Sequence, residues 1–386
     1  MDIAPAHLEY WLRDYYFTAE IDISCSGVEN FSFGEVRQLF NITPDDLDRI
    51  VLRDSRTLGA EHLRTAIGNR FGNGKAERVM ATNGSSEAIY LIMHSLLEPG
   101  DEVVVLDPAY QQLFAIAESI GCKLKRWQLR FEDSFHPDLD EARQLITPQT
   151  RMIVVNFPHN PTGASLTPAE QDELIKLAAD AGAYLVWDAA FAELTYDGPP
   201  LPDPGTRYDR SISLGTLSKA YGLPGLRVGW CMAAPEVLER LVCLRDYTTL
   251  ALSPLVEHIA TRVIESGDLL VQPRLAQARH NLELLVSWSN SHSEFVSMVR
   301  PQGGVCTLMR VHGVSDIEDF CRQLADEHNV LLVPGTSFGQ PDFVRLGYGC
   351  STTELTTALS RLSEHFHTYK QPQPQIAEVH QTASSA

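Results

Sequence analysis

Four short apolar runs stand out in the middle of the chain: EVVVLD (102–107), RMIVVNF (151–157), AYLVWD (183–188) and SISLGT (211–216). Near-continuous apolar runs of this length read as strands buried on both faces, the pattern of a parallel sheet covered by helices. Between them the period changes. Ile89, Ile92, Met93, Leu96 and Leu97 fall at i, i+3, i+4, i+7 and i+8, which predicts one apolar stripe along a helix. A second helix opens at TPAE, with Thr167 as N-cap, Pro168 in the first turn and Glu170 completing a capping box. It carries Leu174, Leu177 and Ala178 inward and stops at Gly182. Strands alternating with helices predict an α/β sheet with right-handed crossovers. Beyond about residue 235 the pattern is mostly helical, with Pro273 placed at a bend in a long connecting helix. From about residue 300 onward, short strand patterns (GGVCTLMRV, VLLVPG, FVRLGYG) mix with helical ones and predict a smaller α+β domain. The stretch YKQPQPQIAEVHQTASSA is polar and without period, and is expected to be a mobile tail.

Length and charge narrow the function classes. A chain of 386 residues has room for two domains. Its formal net charge is −19, from 50 acidic against 31 basic residues, with no basic run to offset it. That balance repels nucleic acid and anionic membranes, so neither is an expected partner. Seven scattered cysteines include no C-x-x-C pair, which predicts no zinc or other metal site, no disulfide framework and a reducing, cytoplasmic setting. The first residues, MDIAPAHLEYWLRDYY, do not read as a signal peptide, and no apolar run reaches membrane-spanning length.

Loops after parallel strands gather at one edge of the sheet, so residues just past strand ends are the natural candidates for chemistry. Gly84, Ser85 and Ser86 open the first amphipathic helix, where free N–H groups and the positive dipole end suit a phosphate; a simple Gly-Ser cap reads equally well. Asp188 ends the run AYLVWD and is either a cap for the next segment or the partner of a buried cation. Lys219, in SLGTLSKAYGLPGLRVGW, is surrounded by hydroxyl, small and apolar residues. It is either a structural lysine in a partly buried loop or an amine held at low pKa for Schiff-base chemistry, with Arg227 as a planar phosphate fork. Together an amine, a carboxylate, a helix N-terminus and an arginine are what an aldehyde cofactor with a phosphate and a pyridine ring requires.

The stretches NFPHNPTGA (156–164), VWDAAF (186–191) and TLSKAYGLPGLRVGW (216–230) resemble the fold-type-I aminotransferase family, whose cofactor is pyridoxal 5'-phosphate (PLP). The resemblance covers about residues 8 to 366 and implies an α/β large domain with a mostly parallel, seven-stranded sheet between helices, plus the smaller α+β domain. The division it implies is an N-terminal segment at 1–45, a PLP-binding domain at 46–270, a small domain at 271–370 and a tail at 371–386. Carried over by motif, Lys219 resembles the Schiff-base lysine that later moves the α-proton. Asp188 resembles the partner of the pyridine nitrogen and Asn160 the donor to the ring's 3-oxygen. Gly84, Ser85, Ser86, Thr216, Ser218 and Arg227 fall at or beside the phosphate cup. Tyr110 resembles the aromatic residue stacked on the ring, Arg345 the clamp for the substrate carboxylate, and Gly27 the backbone contact opposite it. The family also implies a homodimer with shared sites, in which Thr248 and Thr249 are the reach-across residues.

Two positions depart from the family pattern. Phe191 stands where many members place a tyrosine that donates to the ring's 3-oxygen, and LRDSRT lacks the tyrosine that reaches the neighbouring subunit's phosphate. They read either as neutral drift within a broad family or as the mark of a different reaction outcome. DISCSGVENFSFGE (22–35), together with the motifs above, is similar to the subset of the family that cyclises 3-hydroxyarginine to capreomycidine in bacterial peptide-antibiotic pathways of the viomycin and streptothricin type. That resemblance implies loss of the β-hydroxyl as water and attack by the guanidine, with Asp22, Glu29, Asn30 and His159 as candidates for the accompanying proton transfers. An ordinary aminotransferase of a polar or cationic amino acid is the alternative. A non-catalytic effector-binding module is a third reading, disfavoured by the lack of a basic DNA-binding segment.

Overall fold

Strands that are apolar on both faces can bury themselves only in the interior of a covered sheet, and the four apolar runs do become neighbours there. In chain order the strands are β1 (Ile21–Asp22), β2 (Val79–Thr82), β3 (Glu102–Asp107), β4 (Lys123–Gln128), β5 (Thr150–Asn156), β6 (Tyr184–Asp188) and β7 (Ser211–Thr216). They continue with β8 (Gly229–Met232), β9 (Val296–Met298), β10 (Cys306–Val311), β11 (Val330–Leu331), β12 (Val333–Pro334) and β13 (Phe343–Gly347). The computed structural model describes residues 3–370, and the tail expected at 371–386 lies outside the described residues.

Seven strands form one sheet in the order β2-β8-β7-β6-β5-β3-β4. Strands β3 to β7 run parallel, and β8 is antiparallel to both of its neighbours, β7 and β2. The mostly parallel sheet of seven strands is therefore present. The runs 102–107 and 211–216 match β3 and β7 to the residue; 183–188 starts one residue before β6, and 151–157 is offset from β5 by one residue at each end. Strand β4, at the edge, carries Lys123, Lys125 and Arg126, the charged composition that keeps an exposed edge from pairing with another chain.

Both expected helices form. Gly84–Leu96 buries Ile89, Ile92, Met93 and Leu96 against the sheet. Pro168–Ala181 starts with the reciprocal Thr167–Glu170 capping box and ends at Gly182, whose φ of +66° is the left-handed conformation a helix stop uses. The long connecting helix is Asp268–Ser291, which runs unbroken through Pro273.

A second, antiparallel sheet has the order β12-β13-β10-β9. The N-terminal segment joins this part of the molecule, because β1 pairs parallel with β11, Ile21 opposite Val330. Ahead of it, helix His7–Tyr15 is tied at its first residue and at its middle. Its Trp11 indole donates to the Leu332 carbonyl at 2.8 Å, and the His7 N–H donates to Gln111 Oε1 at 2.9 Å, in the loop after β3. Among the described residues no helix is long and apolar enough to cross a membrane.

Candidate active site

The register of the large sheet sets Asn156 opposite Asp188 and Asp188 opposite Leu214, so β5, β6 and β7 end together at one edge. Asn156, which the sequence reading did not single out, ties that edge together. Its Nδ2 donates to the Asp188 carbonyl at 2.9 Å, and its Oδ1 accepts the Asn160 N–H at 2.7 Å. Asp188 is buried, and its Oδ1 accepts the Ala190 N–H at 3.0 Å. Burial pushes its carboxyl up to about 6, against the opposing pull of that N–H and of Lys219. Among the described residues no cation lies within ion-pair distance of it. A buried carboxylate with a net shortage of positive charge is the environment a protonated pyridine nitrogen would fill.

Lys219 lies in the loop after β7, and its Nζ donates to Ser26 Oγ at 2.9 Å. Burial first, then the charge of Arg345, lowers its pKa from the ordinary lysine value. The Nζ is 5.8 Å from the centre of the Phe191 ring, so the apolar ring replaces any hydroxyl at that position. Gly27 passes directly behind. A Cβ there would stand 3.1 Å from the Ser218 carbonyl oxygen and 3.8 Å from Lys219 Cα, so any side chain would press on the loop that carries the lysine.

The residues expected at the phosphate cup lie together. Helix Gly84–Leu96 has no side-chain cap from Asn83, so its first N–H groups stay open. Glu87 accepts the Asn83 N–H at 2.5 Å and pairs with the fully buried Arg245, whose Nη1 donates to the Ala81 carbonyl at 2.7 Å; this locks the start of the helix to the end of β2. Thr249 also bonds Glu87, and both Thr248 and Thr249 are exposed. Ser218 N–H donates to Thr216 Oγ1 at 3.1 Å, while Thr216 Oγ1 lies 3.0 Å from Ser218 Oγ. Arg227 sits at φ +51°, and among the described residues its guanidinium donates only to the Pro224 carbonyl, at 3.2 Å. That guanidinium rests on Gly84, where a Cβ would lie 2.6 Å from Nη2. Gly84→Ala is therefore expected to push Arg227 off the cup and to strain a backbone at φ +75°. Retention of PLP on dilution, read by absorbance, should weaken about tenfold.

Arg345, on β13, is buried, with Nη2 donating to the Ser24 carbonyl at 2.7 Å and Nη1 to Asn160 Oδ1 at 3.2 Å. Its Nε is buried without a partner, a donor left over for a carboxylate. Asn160 Oδ1 also lies 3.5 Å from the Cys306 thiol. With two donors on its oxygen, the Asn160 amide presents Nδ2 as its free side, the orientation that donation to a ring oxygen requires. Tyr110 places its hydroxyl 3.1 Å from Glu9 Oε1, on the N-terminal helix. The sites expected at 27, 84–86, 110, 160, 188, 216, 218, 219, 227 and 345 thus fall in one region.

The proton-transfer candidates separate. His159 is fully buried, its Nδ1 is 2.8 Å from Thr162 Oγ1, and burial pushes its pKa down to about 3, so it stays neutral and packs the loop. Asp22 accepts from both the N–H and the hydroxyl of Ser24, and Glu29 pairs with Arg274. Ser26, Asn156, Cys306 and Glu9 had no sequence signal of their own beyond lying near recognised motifs. Among the described residues no group of three or more His, Cys, Asp or Glu side chains could hold a metal ion.

The family model for aminotransferase class I and II matches residues 49–362, and the chain belongs to that family. Within it, the chain is 46% identical over 369 residues to capreomycidine synthase of Streptomyces vinaceus, covering 95% of each chain. The crystal structure of the PLP-dependent cyclase OrfR superposes with a TM-score of 0.91 at 42% identity, over 95% of this chain and 98% of that one. A PLP-dependent aminotransferase from Streptococcus suis is 31% identical, with a TM-score of 0.90 over 97% of this chain and all of its own.

Proposed function

We propose that this chain is a PLP-dependent capreomycidine synthase that converts 3-hydroxy-L-arginine to capreomycidine, with loss of one water and retention of the amino group. The observation that carries this reading is the 46% identity to a capreomycidine synthase along 95% of both chains. Phe191 at the buried position beside Lys219 supports it, since it leaves Asn160 as the side-chain donor for the ring oxygen.

Bound at this edge of the sheet, PLP supplies an aldehyde for the substrate amine and a ring that accepts the electron pair left at the α-carbon. The residues divide the remaining work. Gly84, Ser85, Ser86, Thr216, Ser218 and Arg227 hold the phosphate. Asp188 would keep the ring nitrogen protonated, Asn160 would donate to the 3-oxygen, and Tyr110 would lie against the ring. Arg345 takes the substrate carboxylate through its fork while Gly27 closes the other side, fixing the α-hydrogen toward Lys219. The Lys219 amine, held below the ordinary lysine pKa by burial, removes that proton and later returns one. The β-hydroxyl leaves as water with one proton, and the guanidine nitrogen that forms the new bond to the β-carbon gives one up; with the α-proton taken and returned by Lys219, the net change is the loss of one water.

The proposal includes a cytoplasmic homodimer acting on a small amino acid. Val51, Leu52 and Tyr247 are large apolar side chains left exposed in one subunit, which a second copy would cover. Incubation of the purified enzyme with 3-hydroxy-L-arginine is expected to yield a product lighter by one water, with no keto acid. Keto-acid formation accompanied by conversion of the cofactor to its amine form would establish the aminotransferase alternative instead.

A further inference from the structure

The groups placed so far grip the head of an amino acid, and none of them distinguishes one side chain from another. A cationic side chain calls for a carboxylate away from Arg345, and three acids lie near the mouth. Two of them are engaged: Asp22 Oδ1 accepts the Ser24 N–H at 2.8 Å and its hydroxyl at 2.5 Å, and Glu29 Oε2 accepts from Arg274 at 2.6 Å and Gln277 at 3.1 Å. Glu9 differs from both. Its carboxylate is exposed and has no ion-pair partner among the described residues, and its side-chain contact is the Tyr110 hydroxyl at 3.1 Å. The helix that carries it cannot drift, because Trp11 is fastened to Leu332 and the His7 N–H to Gln111, the residue next to Tyr110. Gln111 in turn donates to the Pro5 carbonyl at 2.8 Å. Both Glu9 and Arg345 stand close enough to Lys219 to act on its charge, with opposite signs. The site therefore has a cation for the head of the substrate and, on the N-terminal helix, an anion with no ion-pair partner among the described residues.

We propose that Glu9 is the specificity-determining residue that accepts hydrogen bonds from the guanidinium of the substrate, with the Tyr110 hydroxyl holding its carboxylate in place. The class of group recognised rests on the reading of the substrate as an arginine derivative. A carboxylate stabilises the protonated guanidinium, so Glu9 serves capture of the substrate and does not assist the bond-forming step, which needs the neutral form. KM for 3-hydroxyarginine should accordingly rise more than kcat falls when the charge is removed.

The test uses the holoenzyme with two ligands that lack the β-hydroxyl: L-arginine and its neutral near-isostere L-citrulline. Dissociation constants are read from the absorbance change of the bound cofactor for the wild type, Glu9→Gln and Glu9→Asp. The wild type is expected to favour arginine. Glu9→Gln should reduce the arginine-to-citrulline preference about tenfold, and Glu9→Asp, which keeps the charge, should retain most of it. A wild type without preference, a Glu9→Gln preference equal to the wild type's, or an equal weakening of both ligands overturns the assignment. The ratio is measured without cyclisation. It is therefore separate from whether 3-hydroxyarginine loses water, and either result can fail while the other stands.

Discussion

Replacing Lys219 with alanine is expected to slow formation of the dehydrated product by roughly ten-thousandfold, the range of a lost, well-placed general base. The absorption of the bound cofactor should change at the same time, because the variant has no side-chain amine at that position. The fold should survive. Lys219 makes one side-chain hydrogen bond, to Ser26, and its amine is already disfavoured as a buried cation. Asp188, Arg227 and the start of helix Gly84–Leu96 remain, so PLP should still bind non-covalently. Mass spectrometry of the product and an absorbance scan of the purified variant decide the matter. A variant that still cyclises at the wild-type rate removes Lys219 from the mechanism.

Asp188→Asn is expected to affect activity and stability in opposite directions. In the holoenzyme the ring nitrogen loses the carboxylate that keeps it protonated, and the rate should fall by about a thousandfold, as for loss of one preorganised electrostatic partner. The enzyme stripped of PLP should gain. The folded carboxyl titrates at about 6 against an ordinary 3.8, so burial disfavours its ionised form. Near pH 4 and below, the carboxyl is protonated whether the chain is folded or not, and no penalty exists. Between pH 4 and 6 the unfolded chain ionises first, and above 6 the folded apoenzyme carries the full penalty of about 3 kcal/mol. Denaturant unfolding of the two apoenzymes at pH 8 should show Asp188→Asn the more stable by about that amount, with the advantage shrinking as pH falls below 6. A pH-independent difference would show that the carboxylate is not held against its own charge.

The sequence made the central strands legible for a physical reason: β3, β5, β6 and β7 are buried on both faces and read as near-continuous runs. Strand β4 escaped because an edge strand needs charge, and KLKRWQ has no apolar run to read. Asp188 and Lys219 could be found because they lie at or just past the ends of recognisable strands, and Asn160 because it falls in the motif NFPHNPTGA. His159 and Asn160 are neighbours, yet local pattern could not tell which faced the site; the chain turns His159 onto Thr162 and Asn160 onto Arg345. Ser26 and Glu9 were beyond reach in a deeper sense. Ser26 meets Lys219 across 193 positions and Glu9 meets Tyr110 across 101, and no periodicity encodes such encounters.

The pairing of β1 with β11 governs when this enzyme can come into being. Arg345 bonds the Ser24 carbonyl and Trp11 the Leu332 carbonyl, each across 321 positions. On the ribosome, the sheet that would seat the phosphate is complete once β8 has emerged, but the walls around the substrate wait for β13, synthesised near the end. Through that interval His7 and Pro5 can already meet Gln111, but Trp11 and β1 have no partner until residues 330–332 appear, so a nascent chain released early would lack the walls that seat an amino acid.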